Sequence, residues 1–332
     1  MKIGIHNGSG LGDILMSLPL LYGLKAQGHE VWGIGNNSTR PLYNFLSEQK
    51  ILAGAKIYQS HSQSAWRKEI RDLDRLLLVG YFGLGLNPLG LFRIGLPVLR
   101  PFLSVVQNIR EISYMETAWA QTVSSKSPRL PSRPLTYIHC LEKNFGGVFK
   151  PETLFFQEDV LKKARLRAEK TISDQGLRAH QYAVLYPATR GDERNIPLEL
   201  LNEIIRYLSH LGLKLILIGD PSHGGYPPLR DANLIDWRGR RDFEELVGLF
   251  SLSRVVFAVD GGLLHLALAS RAKTVSFWGP TLPESRVVSN HPYHRPLCRY
   301  LPFQPYEGEK ITDAQRAEVF NFSIEEIAKA AL

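Results

Sequence analysis

The sequence predicts two Rossmann-like α/β domains in tandem, each a doubly wound parallel sheet, facing a common cleft. Three observations carry this expectation. The chain has 332 residues, long for one compact core and comfortable for two. Short apolar runs alternate with amphipathic stretches from end to end, the pattern of stacked strand–helix units. The alternation breaks at 176–180 and then restarts. Sheets of this kind bind ligands beyond the C-terminal ends of their strands, so chemistry is expected on the loops that follow strands.

Residues 2–6 read as a strand, 7–12 as a glycine-rich turn and 13–27 as a helix. A strand at 30–34, a helix near 41–47 and a strand at 75–79 continue the first domain. A helix at 159–175 precedes the break. The second domain opens with a strand at 182–186 and a helix at 197–210, with Pro197 in its first turn. Strands at 214–218 and 234–236, a helix at 242–252, a buried strand at 254–259, a short helix at 262–270 and a strand at 274–278 follow. Ser323 and Glu326 form a capping box for a final helix within 322–332. The domains are expected at 1–165 and 180–315, with 316–332 as a terminal helical segment and the join within 150–180. The stretch 126–134 reads as an exposed loop.

A hydrophobic content of 44% and a charged content of 22% exclude a disordered chain. Two cysteines, Cys140 and Cys298, build neither a disulfide framework nor a four-thiolate zinc site, which suits the cytoplasm. The opening MKIGIHNGSG enters a strand at once and leaves no room for a signal peptide. The uncharged run 76–92 is broken by four glycines and Pro88, so it reads as a buried strand and apolar loop. A spanning helix needs about 20 mostly apolar residues. Peripheral contact with the inner face of a membrane stays compatible with this reading. The net charge of +8 points to an acidic partner, such as nucleic acid, an anionic membrane or an acidic glycan, or else to a merely basic surface.

Three loops carry candidate chemistry. The first turn reads His6-Asn7-Gly8-Ser9-Gly10-Leu11-Gly12-Asp13. Asp13 stands where a dinucleotide fingerprint has its third glycine, and a carboxylate there repels a pyrophosphate. The turn therefore offers a carboxylate on the cleft-facing edge, with an N-cap role for Asp13 as the structural alternative. The second loop, Tyr186 to Pro197, presents Thr189, Arg190 and Arg194, the arginines being suited to phosphate oxygens. Its alternative is a solvated loop in which Asp192 and Glu193 neutralise them. The third is Asp260-Gly261-Gly262-Leu263-Leu264-His265, after an apolar strand. Its glycines let a ligand approach backbone N–H groups at a helix start. Asp260 can brace the turn and His265 can face a phosphate, although a histidine there is more commonly structural. Gly279-Pro280-Thr281 completes the rim. No P-loop, nucleophile elbow, zincin or Cys-x-x-Cys motif is present, and the ten histidines lack metal-ligand spacing, so neither metal nor cofactor is expected.

Together these motifs resemble glycosyltransferase family 9, the bacterial lipopolysaccharide heptosyltransferases. The matching pieces are Gly10-Leu11-Gly12-Asp13, the loop ending Arg194-Asn195-Ile196-Pro197, the segment from Asp260 through His265 to Leu266, and Phe277-Trp278-Gly279-Pro280-Thr281. Residues 60–150 are not matched. The resemblance implies a GT-B fold with the last helix returning to the first domain, and metal-independent, inverting transfer from a nucleotide sugar. It implies Asp13 as general base, Arg194 as the donor-phosphate cation, Thr189 as a polar donor contact, and the turn from Asp260 to His265 as the diphosphate site. Arg190 and Asp220 join the donor set, with Asp220 or His223 near the place of a ribose contact. Gly10, Arg67, Lys68 and Arg71 are the acceptor candidates. Three departures stand out: Arg194 replaces a lysine, Ile196 a tryptophan, and Gly261 a hydroxyl residue.

In this reading an acceptor hydroxyl attacks the anomeric carbon while a nucleoside diphosphate leaves from the opposite face. Asp13 takes the proton, and Arg194 with the amides of Gly261, Gly262 and Leu263 stabilises the leaving group. The donor is ADP-heptose or another nucleotide sugar; the acceptor is an acidic glycan or glycolipid such as a lipopolysaccharide core. Two other classes compete: a sugar-nucleotide epimerase or hydrolase of the same fold, and a non-catalytic glycan-binding protein. Basic patches interleaved with aromatics are nearly absent beyond Trp66 beside Arg67, which argues against nucleic acid.

Overall fold

A computed structural model describes residues 1–7, 10–58, 69–78, 111–114, 133–229, 231–240, 242–299 and 311–331. The chain divides into two compact units, Met1–Leu154 and Phe155–Leu332. Both are α/β units with all-parallel sheets, as expected.

In the first unit the elements are β1 (Lys2–His6), α1 (Leu11–Met16), α2 (Leu18–Ala26), β2 (Glu30–Gly35), α3 (Arg40–Glu48), β3 (Gly54–Ile57), β4 (Arg75–Leu78), β5 (Glu111–Tyr114) and α4 (Arg133–Phe145). The strand order is β3-β2-β1-β4-β5, so the winding reverses between β1 and β4. The single helix expected at 13–27 is two helices. Pro19 sits in the first turn of α2 and has no N–H to continue the ladder from Leu15, so α1 stops at Met16. The Ser17 hydroxyl at the joint donates to the Ile14 carbonyl at 2.7 Å. Helix α2 lies close on α4: a Cβ at Gly23 would come within 2.2 Å of the Leu141 side chain.

The second unit comprises α5 (Glu158–Asp174), β6 (Tyr182–Tyr186), α6 (Leu198–His210), β7 (Lys214–Leu217), β8 (Leu234–Asp236), α7 (Phe243–Leu252), β9 (Val255–Val259), α8 (Gly262–Ala269), β10 (Thr274–Trp278), α9 (Pro283–Arg286), β11 (His294–Cys298), α10 (Asp313–Val319) and α11 (Ile324–Ala331). The order β11-β10-β9-β6-β7-β8 places the reversal between β6 and β9. Strands β6, β9 and β10 are buried at every position, which is why they read as unbroken apolar runs rather than alternating ones. The edge strand β11 carries Pro296, tolerable only where a ladder partner is missing on one side, and its mixed composition hid it from the sequence reading.

The division between the units falls before residue 165, the expected end of the first domain. Its cause is the packing of α5 on α7, where Gly248 lets the helices meet so closely that a Cβ there would lie 2.0 Å from the Ala164 carbonyl. The capping box of α11 is present, with Ser323 Oγ accepting from Glu326 N at 3.2 Å and Glu326 Oε2 accepting from Ser323 N at 2.9 Å. Helix α11 packs on β10, β11 and α6 of its own unit, with Ile327 fully buried. Among the described residues no helix is long and apolar enough to cross a membrane.

Candidate functional site

A doubly wound sheet opens a crevice where its winding reverses, because the loops from the two central strands leave toward opposite faces. In the second unit that place lies between the ends of β6 and β9, whose ladder pairs Tyr186 with Ala258. The loop after β6 is internally braced. Asn195 is buried; its Oδ1 accepts from Thr189 N at 2.6 Å and its Nδ2 donates to Asp192 at 3.2 Å. Thr189 Oγ1 accepts from Gly191 N at 3.1 Å. Tyr226 fastens both ends of the loop, donating to the carbonyls of Pro187 at 3.1 Å and Ile196 at 2.6 Å. Arg316 of α10 donates to the Asn195 carbonyl at 3.0 Å.

The bracing delivers Arg194 to the turn after β9. Its guanidinium donates to the Asp260 carbonyl at 3.1 Å and lies 3.6 Å from the Asp260 carboxylate. Asp260 is 3% exposed, and its Oδ2 accepts no hydrogen bond, so Arg194 supplies its countercharge. Gly261 is the N-cap of α8 in extended conformation, with no side-chain cap on the first helical amides. Its lack of a side chain answers crowding rather than backbone strain: a Cβ would lie 2.6 Å from the Tyr186 hydroxyl and 2.8 Å from Thr189 Cγ2. Gly279 acts likewise beside Arg194, since a Cβ there would approach the Glu193 carbonyl to 2.8 Å. A guanidinium and uncapped helical amides thus converge at one turn, an arrangement suited to an anion.

Of the donor candidates, Thr189, Arg194, Asp260, Gly261, Gly262 and Leu263 come together here. Arg190, in the same loop, is exposed. Asp220 follows β7, the neighbour of β6, and its carboxylate accepts from Ser222 N and Oγ. His265 is buried in α8, near enough to His294 of β11 to disfavour protonation there. His294 belongs to a polar chain beneath the sheet edge: Trp278 Nε1 donates to Ser276 Oγ at 2.6 Å, and Ser276 Oγ lies 2.6 Å from His294 Nε2. Burial pushes His294 down to about 3 and His291 to about 4, so both are neutral near pH 7.

In the first unit the reversal lies at the end of β1. The chain there is anchored by Asn7, which donates to Ser17 Oγ at 2.7 Å. The N-cap of α1 is Gly10, not Asp13; Asp13 occupies the third helical position, partly exposed. The capping role weighed for Asp13 is therefore filled by another residue. Gly10 leaves room for it, since a Cβ at Gly10 would lie 2.6 Å from Asp13 Oδ2. Arg71 is exposed and precedes β4, at the N-terminal end of the strands. Asp13 follows the C-terminal end of β1, so the two stand at opposite ends of one sheet. Arg67 and Lys68 lie outside the described residues. Among the described residues no group of three or more His, Cys, Asp or Glu side chains is placed to hold a metal ion.

Residues 139–295 match the model of glycosyltransferase family 9 (heptosyltransferase), a span that holds the whole loop and turn just described. Over that span, a little under half of the chain, the sequence is similar to the heptosyltransferases of glycosyltransferase family 9. It is 26% identical over 153 residues to lipopolysaccharide heptosyltransferase 1 of Salmonella typhimurium, covering 44% of this chain and 48% of that one. The same enzyme from Escherichia coli O18:K1:H7 is 23% identical over 202 residues, covering 58% and 60%. This chain's match thus spans only about half to three-fifths of those relatives' length. The family 9 fold extends further. A family 9 glycosyl transferase of Veillonella parvula superposes with a TM-score of 0.66 at 15% identity, over 99% of this chain and 96% of that one. The ADP-heptose lipopolysaccharide heptosyltransferase II of E. coli gives 0.65 at 18%, over 100% and 98%. The two-domain GT-B class follows from these likenesses.

The sequence reading missed Tyr186, Asn195, Tyr226, Gly279 as a spacer, and Arg316. Asn195 and Tyr226 act on backbone groups through hydrogen bonds that no motif announces. A signal for Tyr186 was available: a glycine at 261, where the resembled family carries a hydroxyl residue, asks what fills the space.

Proposed function

We propose that the protein transfers a sugar from a nucleotide-sugar donor to a glycan acceptor, with inversion and without a metal ion. The observation that carries the reading is the convergence of Arg194 with the uncapped amides of α8 at the Gly261 turn. A departing nucleoside diphosphate accumulates negative charge, and preorganised donors stabilise that charge more than they stabilise the bound ground state. Arg194 is held against Asp260, so its fork keeps one orientation before the donor arrives. Thr189, Arg190, Asp220 and His265 complete the proposed donor set. In the first unit Asp13 is the proposed general base, accepting the proton of the attacking hydroxyl. Gly10 serves it by leaving space for the carboxylate.

The named E. coli structure uses ADP-heptose, and that donor is the first to test. The net charge of +8 favours an acidic acceptor such as a phosphorylated lipopolysaccharide core, reached from the cytoplasm at the membrane's inner face. A thermal-shift and calorimetric panel of nucleoside diphosphates and nucleotide sugars identifies the donor. Release of nucleoside diphosphate from that donor, with and without truncated lipopolysaccharide cores, then tests transfer. A protein that binds no member of the panel defeats the reading; one that binds donor but never turns it over with any acceptor reduces it to a binding protein.

A further inference from the structure

Tyr186 ends β6 at the reversal of the sheet and is only 7% exposed, so its phenol lies almost wholly inside the unit. Its hydroxyl stands at the Gly261 turn, 2.6 Å from where a side chain on residue 261 would begin. Thr189 Cγ2 closes the same space from the other side at 2.8 Å. Tyr186 and a side chain at 261 therefore exclude one another. Among the described residues none hydrogen-bonds the hydroxyl, although the charges of Arg194, Asp260 and Asp220 all act on it. The ring is packed inside the unit while the hydroxyl at its tip keeps no partner among the described residues, so its hydrogen-bonding capacity is left for a group arriving at the turn. Two other tyrosines of this unit spend their hydroxyls on the protein itself: Tyr182 donates to Leu249 O at 2.7 Å and Tyr226 to two carbonyls.

We propose that Tyr186 is a donor-binding residue, its hydroxyl donating a hydrogen bond to a phosphate oxygen of the nucleoside diphosphate at the Gly261 turn. The assignment rests on the proposed donor site and adds to it a specific contact from the end of β6. The chemistry is consistent. Burial raises the phenol above its ordinary value, so at neutral pH the group keeps its proton and can only serve an anion as a donor. Gly261 is then the permissive half of a pair: it removes a side chain from the turn so that a longer one, rooted in the rigid central strand, can supply the hydroxyl instead.

The test uses the full chain and Tyr186→Phe, which keeps the ring and removes the O–H. Calorimetry with ADP, or with UDP or GDP if the wild type prefers one of them, should show affinity lowered roughly ten-fold or more. The melting temperature of the free protein and the affinity for the matching nucleoside, measured by competition, should stay unchanged. Gly261→Ser alone should also bind the diphosphate more weakly, because its Cβ meets the tyrosine. Tyr186→Leu combined with Gly261→Ser should regain part of what Tyr186→Leu loses, since space is opened and a hydroxyl restored. Wild-type diphosphate affinity in Tyr186→Phe, or an equal loss for the nucleoside, overturns the inference alone. A wild-type protein that binds none of the three diphosphates overturns the donor site as well.

Discussion

Two turns in this chain look alike and are electrostatically opposite. After β1 and after β9 a buried parallel strand ends, a glycine becomes the N-cap, and a helix begins with no side chain capping its amides. At Gly10 the space without a Cβ is taken by the carboxylate of Asp13, from the helix itself. At Gly261 it is taken by Tyr186 and Thr189 from the neighbouring strand and its loop, and Arg194 stands beside it. A glycine at a helix start therefore does not by itself make an anion site. The third helical residue and the loop from the adjacent strand decide whether the turn repels a phosphate or receives one.

The largest effect should come from the acidic turn. Asp13→Asn removes the proposed proton acceptor and should lower the transfer rate by on the order of 10²–10⁴. Gly10 already fills the cap, so losing one first-turn charge should change stability by only about 0.3–1 kcal/mol. Donor affinity should persist. Near-normal transfer by a folded Asp13→Asn protein would remove the catalytic meaning of the contrast between the turns.

At the basic turn, Arg194→Ala should weaken nucleoside diphosphate binding by about 1.5–3 kcal/mol, the worth of a charge-assisted hydrogen bond. Arg194→Lys should keep part of it, with the charge retained and the fork lost. Calorimetric affinities for both variants rank the charge against the geometry; an Ala variant that binds as the wild type does would assign Arg194 to bracing Asp260 alone.

A smaller effect should appear in the pH dependence of stability. His291 and His294 are held near 4 and 3 in the fold, below the ordinary 6.5. The unfolded chain therefore takes up protons first as pH falls, so their contribution is complete above about pH 6.5 and is progressively lost down to about pH 3–4. Melting curves between pH 7.5 and 4.5 should show the transition of the second unit moving down, and His294→Gln should flatten that slope. A slope unchanged in the variant would shift the acid sensitivity to other groups. The smallest expected change is none: EDTA should leave nucleoside diphosphate affinity as it was, because Arg194 and backbone amides supply the positive end of the site. Loss of binding on chelation would replace that account with a metal-assisted one.

Much of the fold was legible because burial on both faces leaves a direct trace. Strands such as VVFAV and TVSFW have no polar alternation, since no position of theirs meets water. Pro197 and Ser323 marked helix starts for local steric and hydrogen-bonding reasons. Less legible were elements whose partners are remote. Strand β3 is only half-buried and begins with Gly54, and β11 contains a proline, so neither has a local signature. Pro19 could have divided the first helix on sequence grounds, but the apolar pattern continues across it.

By itself the sequence determined the alternation of strands and helices, the glycines that start α1 and α8, and the charges at Asp13 and Arg194. These depend on residues near one another in the chain, whose spacing carries the information. Tertiary structure decided what each glycine makes room for, which residue holds Arg194, and that Arg71 lies at the wrong end of its sheet to join Asp13. Those are matters of strand order: β6 and β9 are neighbours although about seventy residues separate them. The tyrosine at the end of one and the glycine after the other acquire a joint meaning only when the sheet sets them side by side.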